Sequence, residues 1–258
     1  MSAAAVIGLG YRVGGATLLD GVDLSVAGGE FLSVIGPNGA GKTTLVQLLS
    51  GELVPTSGRV EIGGRDIAKM NLAELALLRA VLPQHHVLRF AFRCLDVVMM
   101  GRYPHGGSEA DARAAADRVM TETDTAPLAD RLYPTLSGGE QARVSFARVL
   151  AQETPLVLLD EPTGRLDLRH QELVMGTLRG LADRGVAVVA VLHDINLAAR
   201  FVDRLVILDG GLVRAVGTPE AVLRPDVLAS VYGIDVQVIT HPEAGCPLIL
   251  PIGGGRIG

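Results

Sequence analysis

The feature that most constrains the fold is a glycine-rich loop at residues 36–43, with the sequence GPNGAGKT. It fits the phosphate-binding pattern G-x-x-x-x-G-K-[ST], which needs a buried strand before it and a helix after it. Both are predicted here, because the apolar run Phe31–Ile35 precedes the loop and a helical pattern at 43–50 follows it. Backbone N–H groups and the positive end of the helix dipole then converge on phosphate oxygens. We expect Lys42 to reach the β and γ phosphates and the Thr43 hydroxyl to ligate Mg²⁺; the alternative is a glycine-rich turn that binds nothing.

Short, continuous apolar runs alternate with helical patterns along most of the chain. Apolar runs typical of strands buried on both faces of a sheet occur at 31–35, 156–159, 186–192 and 205–208. Helical patterns follow most of them, at 43–50, 168–182 and 195–201. The segments 22–26 and 59–62 are predicted antiparallel additions, and 87–152, with little strand signal, an inserted helical subdomain. We therefore predict one α/β domain over 1–258, a P-loop NTPase core whose mainly parallel sheet is covered by helices.

Charge, cysteine content and hydropathy narrow the classes of function. The 23 basic and 28 acidic side chains give a net charge of −5, so no global basic field recruits nucleic acid. Cys94 and Cys246 are expected to be unpaired thiols in a reducing compartment. The longest uninterrupted apolar run, 186–192, is far shorter than the ~20 residues of a membrane helix. We therefore expect a chain that does not span a bilayer and whose anion sites are local.

Further predicted strands end in polar side chains. Asp160 and Glu161 end one apolar run, His193 ends another, and Gln84 follows a third. Ligands bind an α/β sheet at the carboxyl ends of its strands, so these side chains are expected near Lys42. Asp160 can support Mg²⁺ through water, and Glu161 can act as the general base on an attacking water. The alternatives are a solvated acidic strand end for the carboxylates and a structural role for His193, while Gln84 alone is uninformative.

A second candidate anion site lies at Ser137, Gly138 and Gly139, before a helical pattern that runs to about residue 151. A serine followed by glycines at a helix start offers backbone N–H groups to a phosphate, although it is also typical of an ordinary capped helix. Two anion sites for one nucleotide are explained by a symmetric dimer. Each nucleotide would then lie between the phosphate loop of one copy and residues 137–139 of the other.

Taken together, these motifs resemble the ATP-binding subunits of ABC transporters over nearly the whole chain. The matching pieces, in the family's order, are GPNGAGKTT at 36–44, Gln84, LSGGEQ at 136–141, the strand ending in Asp160 and Glu161, Asp167, and His193. LSGGE is the most specific piece, because kinases and small GTPases with a phosphate loop lack it. DNA-repair relatives would need a long coiled coil between Gln84 and Ser137, for which about fifty residues leave no room.

The resemblance implies roles for individual residues. The expected ATP contacts are Gly36, Pro37, Asn38, Gly39, Ala40, Gly41, Lys42, Thr43, Thr44, Ser137, Gly138, Gly139 and Asp167. The expected Mg²⁺ site is Thr43, Gln84 and, in support, Asp160. Glu161 is implied as the base, with His193, Lys42 and Gln84 as the other catalytic residues, and Asp167 as the contact across the dimer.

Among ABC ATPases the chain is similar to those that drive uptake of metal chelates. The similar segments are LPQHH at 82–86, GRYPH at 101–105, YPTLSGGEQAR at 133–143, LDLRHQ at 166–171 and the tail from Thr240, and they are most similar to hemin import ATPases. The alternative is a siderophore-iron or cobalamin importer. The implied partners are a second copy, two transmembrane permease subunits docked near 87–105 and, indirectly, a substrate-binding protein, at the cytoplasmic face of the inner membrane.

The chain departs from the family at two places. Val13 stands where members often place an aromatic against adenine, with Tyr11 two residues earlier, so we expect weak base stacking. Arg165 stands in the loop before Asp167, where small residues are usual. His85 and His86 invite a heme-ligand interpretation, but nothing else in the sequence indicates a heme pocket, and surface or interface roles are favoured.

Overall fold

The fold is described from a computed structural model, which describes residues 2–84 and 91–252. The strands are β1 (Ser2–Val13), β2 (Ala16–Ala27), β3 (Phe31–Ile35), β4 (Ser57–Ile62), β5 (Arg65–Asp66), β6 (Arg79–Leu82), β7 (Leu156–Asp160), β8 (Ala187–Val191), β9 (Arg204–Asp209), β10 (Leu212–Gly217), β11 (Val236–Thr240) and β12 (Pro247–Pro251). The α-helices are α1 (Lys42–Ser50), α2 (Leu72–Leu78), α3 (Cys94–Met99), α4 (Glu109–Glu122), α5 (Gly138–Ala151), α6 (Leu168–Asp183), α7 (Ile195–Phe201), α8 (Pro219–Val222) and α9 (Pro225–Tyr232). The tail from residue 253 and the histidines at 85 and 86 lie outside the described residues.

The central sheet carries the nucleotide-binding candidates. Its strand order is β10-β9-β3-β8-β7-β6, and the neighbours from β9 to β6 are parallel. Every residue of β3, β7 and β8 is buried, as their continuous apolar runs predict for strands covered on both faces. The predicted mainly parallel α/β sheet is confirmed.

Two apolar clusters cover the two faces of this sheet. Along β7, Leu156 and Leu158 belong to a cluster shared with α1 and the antiparallel sheet β2-β1-β4-β5. Val157 and Leu159, which alternate with them, belong to the cluster formed with α3, α5 and α6. The alternation follows from the period of two in a strand. The segments 22–26 and 59–62 lie in the antiparallel sheet, as predicted.

Helices α3, α4 and α5 fill the stretch between β6 and β7 and pack against one another. At the start of α4, the Ser108 hydroxyl accepts from the Asp111 N–H and the Asp111 carboxylate accepts from the Ser108 N–H, which together form a capping box. The subdomain assignment for 87–152 remains a prediction, and its first four residues lie outside the described part. Across 2–84 and 91–252, no helix has the length and apolar character to cross a bilayer.

Candidate active site

Four adjacent parallel strands deliver the predicted residues to one edge of the central sheet. The phosphate loop follows β3, His193 follows β8, Asp160 and Glu161 end β7, and Gln84 follows β6. Because the strands are parallel, their carboxyl ends meet at the same edge. The contacts of Glu161 with Gln84 and His193 confirm the sequence prediction that these side chains approach one another.

The phosphate loop wraps around the Lys42 ammonium. The Nζ atom donates to the carbonyl oxygens of Gly36 and Pro37, both at 2.8 Å, and the residue is only 6% exposed. Burial lowers the pKa of Lys42 from its ordinary value, and the carboxylates of Glu161 and Asp160 act against that shift. The result is a buried cation facing two carboxylates at the strand ends.

The backbone of the phosphate loop admits only glycine at its first position. Gly36 has φ +151°, and a Cβ atom there would lie 1.9 Å from the Leu208 carbonyl oxygen on β9. At the other end of the loop, α1 begins after Gly41 without a side-chain cap. The first-turn N–H groups of α1 therefore lack the side-chain acceptor that caps most helices, as expected where a phosphate is the intended partner.

Asp160 is the buried member of the carboxylate pair. It is 3% exposed, and burial raises its pKa, against which a hydrogen bond from Thr43 acts. Its Oδ1 atom is buried without a hydrogen-bond partner among the described residues. An unsatisfied carboxylate oxygen beside a threonine hydroxyl is chemistry that fits Mg²⁺, a cation that prefers oxygen ligands and retains water.

Glu161 is held at a single oxygen by two neighbouring strands. Its Oε1 atom accepts from Gln84 Nε2 at 2.7 Å and lies 2.5 Å from His193 Nε2. Burial alone raises the pKa of Glu161, but the hydrogen bonds from His193 and Gln84 and the charge of Lys42 outweigh it and leave the pKa below its ordinary value. The carboxylate is therefore ionised at neutral pH and able to accept a proton.

The backbone of Glu161 is also unusual. It has φ +54°, in the left-handed region that non-glycine residues seldom adopt, and its N–H donates to the Val191 carbonyl at 3.1 Å. Such strain is typical of positions where the surrounding structure fixes a functional side chain. Here it turns the chain after β7 so that the side chain reaches Gln84 and His193.

Ser137 and Asp167 each lie at the N-cap of a helix. Ser137 caps α5: its hydroxyl accepts from the Glu140 N–H at 3.3 Å, and its N–H and hydroxyl both donate to the Glu140 carboxylate at 2.8 Å. The capped-helix arrangement is thus present, and the role across a dimer remains a prediction. Asp167 caps α6 and accepts from both the backbone N–H and the ring Nδ1 of His170, at 2.9 and 2.7 Å.

The structure shows where Arg165 and Val13, the two residues that depart from the family pattern, lie relative to the site. A cavity of ≈140 Å³ is lined by Gln84, Glu161, Gly138 and Arg165 among others, so Arg165 borders the region between Glu161 and the start of α5. Val13 is 52% exposed at the end of β1, whereas Tyr11 packs against the core beneath β1. Neither Val13 nor Tyr11 therefore offers an exposed aromatic ring to adenine.

One contact at the site was not anticipated from the sequence. Burial raises the pKa of Tyr232, at the end of α9, to about 12, and hydrogen bonding with the Gly36 backbone acts against that shift. Gly36 and Tyr232 are almost two hundred residues apart, and no local pattern links them.

Comparisons with known proteins bear directly on this geometry. The family model described as ABC transporter matches residues 19–164, more than half of the chain. The chain belongs to the ABC transporter family. This ABC ATPase is 48% identical to a hemin import ATP-binding protein, HmuV, of Gloeobacter violaceus, over 97% of this chain and 94% of the relative. The family and this relative identify it as a subunit that binds and hydrolyses ATP.

Solved structures agree with the fold of this ABC ATPase. A metal-chelate type ABC transporter in an inward-facing conformation is 27% identical, with a TM-score of 0.83 over 98% of both chains. A bacterial ABC transporter cassette solved as a dimer is 30% identical, with a TM-score of 0.76 over 83% of this chain and 98% of the cassette. Dimeric assembly therefore occurs among its structural relatives.

Proposed function

We propose that this chain hydrolyses ATP at the carboxyl edge of its central sheet to drive hemin import. The observation that carries the site assignment is the Glu161 carboxylate, bound by Gln84 and His193 and facing the charge of Lys42. Backbone N–H groups of residues 39–44 hold the phosphates, and Lys42 contacts the β and γ phosphates.

The metal site consists of Thr43, Asp160 and Gln84. The unsatisfied Oδ1 atom of Asp160 supports this assignment. The Gln84 amide uses its nitrogen to bind Glu161, which leaves its oxygen as the group that can bind a cation. When bound, Mg²⁺ would neutralise charge on the phosphate oxygens.

In the proposed reaction Glu161 accepts a proton from a water molecule as the water oxygen forms a bond to the γ-phosphorus. The bond from the γ-phosphorus to the bridging oxygen breaks, and its electron pair stays on the β-phosphate of ADP. Lys42 stabilises the charge that grows on the phosphates, and His193 contacts the γ-phosphate while fixing the orientation of Glu161. Catalysis is therefore mainly positioning and charge stabilisation.

Turnover requires two copies in this proposal. Residues 137–139 of each copy close the nucleotide held by the phosphate loop of the other, and Asp167 carries the contact between the two sites. The dimeric relative supports this arrangement. ATP would draw the two copies together, and hydrolysis would release them.

We assign the cargo to hemin because many curated relatives that match nearly the full chain at 45–49% identity are hemin import ATP-binding proteins. The subunit would lie at the cytoplasmic face of the inner membrane beneath two permease subunits, with a substrate-binding protein on the opposite side. A cavity of ≈500 Å³ lined by Met99, Met100 and the exposed Tyr103 supports docking of a permease at 91–105.

The decisive experiment replaces Glu161 with Gln, which keeps the size and hydrogen bonds of the side chain but removes the base. We expect ATP binding to persist, an ATP-bound dimer to accumulate, and turnover to fall by roughly 10²- to 10⁴-fold. Glu220→Gln, at an exposed position on α8, is the matched control and should keep wild-type turnover. Wild-type turnover of Glu161→Gln would remove Glu161 from the role of base.

The cargo is tested separately with the ATPase assembled on its membrane partner in vesicles. Hemin should stimulate ATP hydrolysis, whereas a ferric siderophore or cobalamin should not. Stimulation by one of the latter alone would keep the ATPase mechanism and replace the cargo.

A further inference from the structure

The C-terminal part of the chain is joined to the helix that follows His193. Asn196, in the first turn of α7, donates through Nδ2 to the Ile249 carbonyl at 3.2 Å and accepts at Oδ1 from the Ile249 N–H at 2.7 Å. Both polar atoms of the Asn196 amide therefore form hydrogen bonds with the backbone of one residue of β12. Ile249 is itself 8% exposed and belongs to the core, so this pairing is fixed at both ends.

Helix α7 needs such an anchor. It has seven residues, fewer than an isolated helix requires for stability in water, so its position depends on tertiary contacts. Asp194 caps it by accepting from the Leu197 N–H at 2.9 Å, which fixes the turn directly after His193. Asn196 holds the same turn from the outside. A change at Asn196 would therefore be transmitted over three residues to His193.

The same C-terminal part also contacts the other side of the site. Tyr232 of α9 lies close enough to the backbone of Gly36, the first residue of the phosphate loop, for hydrogen bonding between them to act on its pKa. A cavity of ≈270 Å³ between the two contacts is lined by His193, Asn196, Tyr232 and Ile249 among others. Elements α9, β11 and β12, at 225–251, thus form a C-terminal brace that touches both the phosphate loop and the helix behind His193.

We propose that Asn196 is a positioning residue for ATP hydrolysis, through which the C-terminal brace holds His193 against Glu161. The inference rests on the proposed roles of His193 and Glu161. It extends the site from His193 to β12, a strand at the end of the described chain. The brace adds no group that touches the nucleotide; it fixes the direction from which His193 reaches the Glu161 oxygen.

The test is Asn196→Ala in the full-length chain, with kcat and KM for ATP measured separately. We expect kcat to fall by roughly 10- to 100-fold, the range for a small misplacement of a catalytic group, with KM nearly unchanged. The matched control is Asn71→Ala, because Asn71 also binds backbone, accepting from the Glu74 N–H at 2.9 Å, but caps α2 away from His193. Both variants should lose thermal stability, and only Asn196→Ala should lose kcat.

A double-mutant cycle with His193→Ala separates positioning from general damage. If Asn196 acts through His193, adding Asn196→Ala to His193→Ala costs no further kcat, whereas independent effects multiply and overturn the inference. Should Asn196→Ala not fold, Asn196→Asp keeps an acceptor for the Ile249 N–H but replaces the donor with a carboxylate oxygen that faces the Ile249 carbonyl. Wild-type kcat in that variant would equally overturn the inference.

The outcomes also distinguish the inference from the proposed function beneath it. Loss of turnover in His193→Ala with wild-type kcat in Asn196→Ala removes only the positioning role. Wild-type turnover in His193→Ala removes the role of His193 and the inference with it. Wild-type turnover in Glu161→Gln removes only the role of Glu161 as base, and the double-mutant cycle would still measure the coupling of Asn196 to His193.

Discussion

Replacing Gly36 with Ala should destabilise the protein far more than the same change three residues later in the phosphate loop. At Gly36, the added Cβ atom would lie 1.9 Å from the Leu208 carbonyl oxygen and 3.0 Å from its carbon. Those atoms belong to the backbone of β9, which is hydrogen-bonded to β3 and β10, so they cannot rotate away. At Gly39, which also has a positive φ of 78°, the added Cβ atom meets nothing within 4 Å.

The two positions therefore differ by the cost of overpacking. Left-handed backbone strain on alanine costs about 1–2 kcal/mol at either position. Forcing a methyl group into a packed site adds about 1–3 kcal/mol at Gly36 only. For a chain of this size each kcal/mol lowers the melting temperature by roughly 2–4 °C, so Gly36→Ala should melt several degrees below Gly39→Ala.

The assay is thermal unfolding of both variants and the wild type, without nucleotide and at one scan rate. Nucleotide is omitted because ligand binding would add a stabilisation that differs between loop variants. If Gly36→Ala relieves the overlap by moving the loop, its ATP affinity should fall instead of its melting temperature. Equal melting temperatures and equal ATP affinities in the two variants would refute the packing argument.

Three other predictions concern separate parts of the chain. Ser137→Arg should abolish turnover and ATP-dependent dimerisation, measured by light scattering, while a single copy still binds ATP; normal turnover would contradict the reciprocal site. Iodoacetamide at pH 8 should modify the partly exposed Cys246 and spare Cys94, because burial raises the pKa of the Cys94 thiol to about 11; mass spectrometry of both peptides gives the answer, and equal labelling in the native protein would contradict it. ATP and GTP should be hydrolysed at comparable rates, since Val13 offers no ring to the base and Tyr11 packs on the core; a steep preference for ATP would show another source of base recognition.

The positions of the site residues could be predicted because their signals are local. A buried strand reads as a continuous apolar run, and a polar residue at its end marks the carboxyl edge of the sheet. Predicted strand 31–35 and predicted helix 195–201 have the bounds that the structure gives, and the predicted run 186–192 exceeds β8 by one residue at each end. A parallel sheet then brings such residues together, because adjacent strands end at the same edge.

Elements whose pairing is irregular or distant could not be predicted this way. Strand β1 spans Ser2–Val13, but register shifts interrupt its pairing with β2, so its sequence lacks a steady period of two. The hairpin of β11 and β12 has short strands with a mixture of buried and exposed residues, so no regular pattern in the sequence predicts either strand. Periodicity is a weak guide where burial does not follow it.

The contacts between individual side chains at the site are even harder to predict from the sequence. The sequence predicts that Glu161 and His193 lie near each other, but not that Gln84 and His193 share one oxygen of Glu161, nor that Glu161 adopts φ +54°. Those details arise from the spacing of three parallel strands. The same holds for Asn196, because its partner Ile249 is 53 residues away. An asparagine three residues after a histidine is by itself unremarkable in sequence. Residues that act through backbone contacts of this kind carry no motif, so changes in them would alter kcat at positions that motif-based reasoning assigns to packing alone.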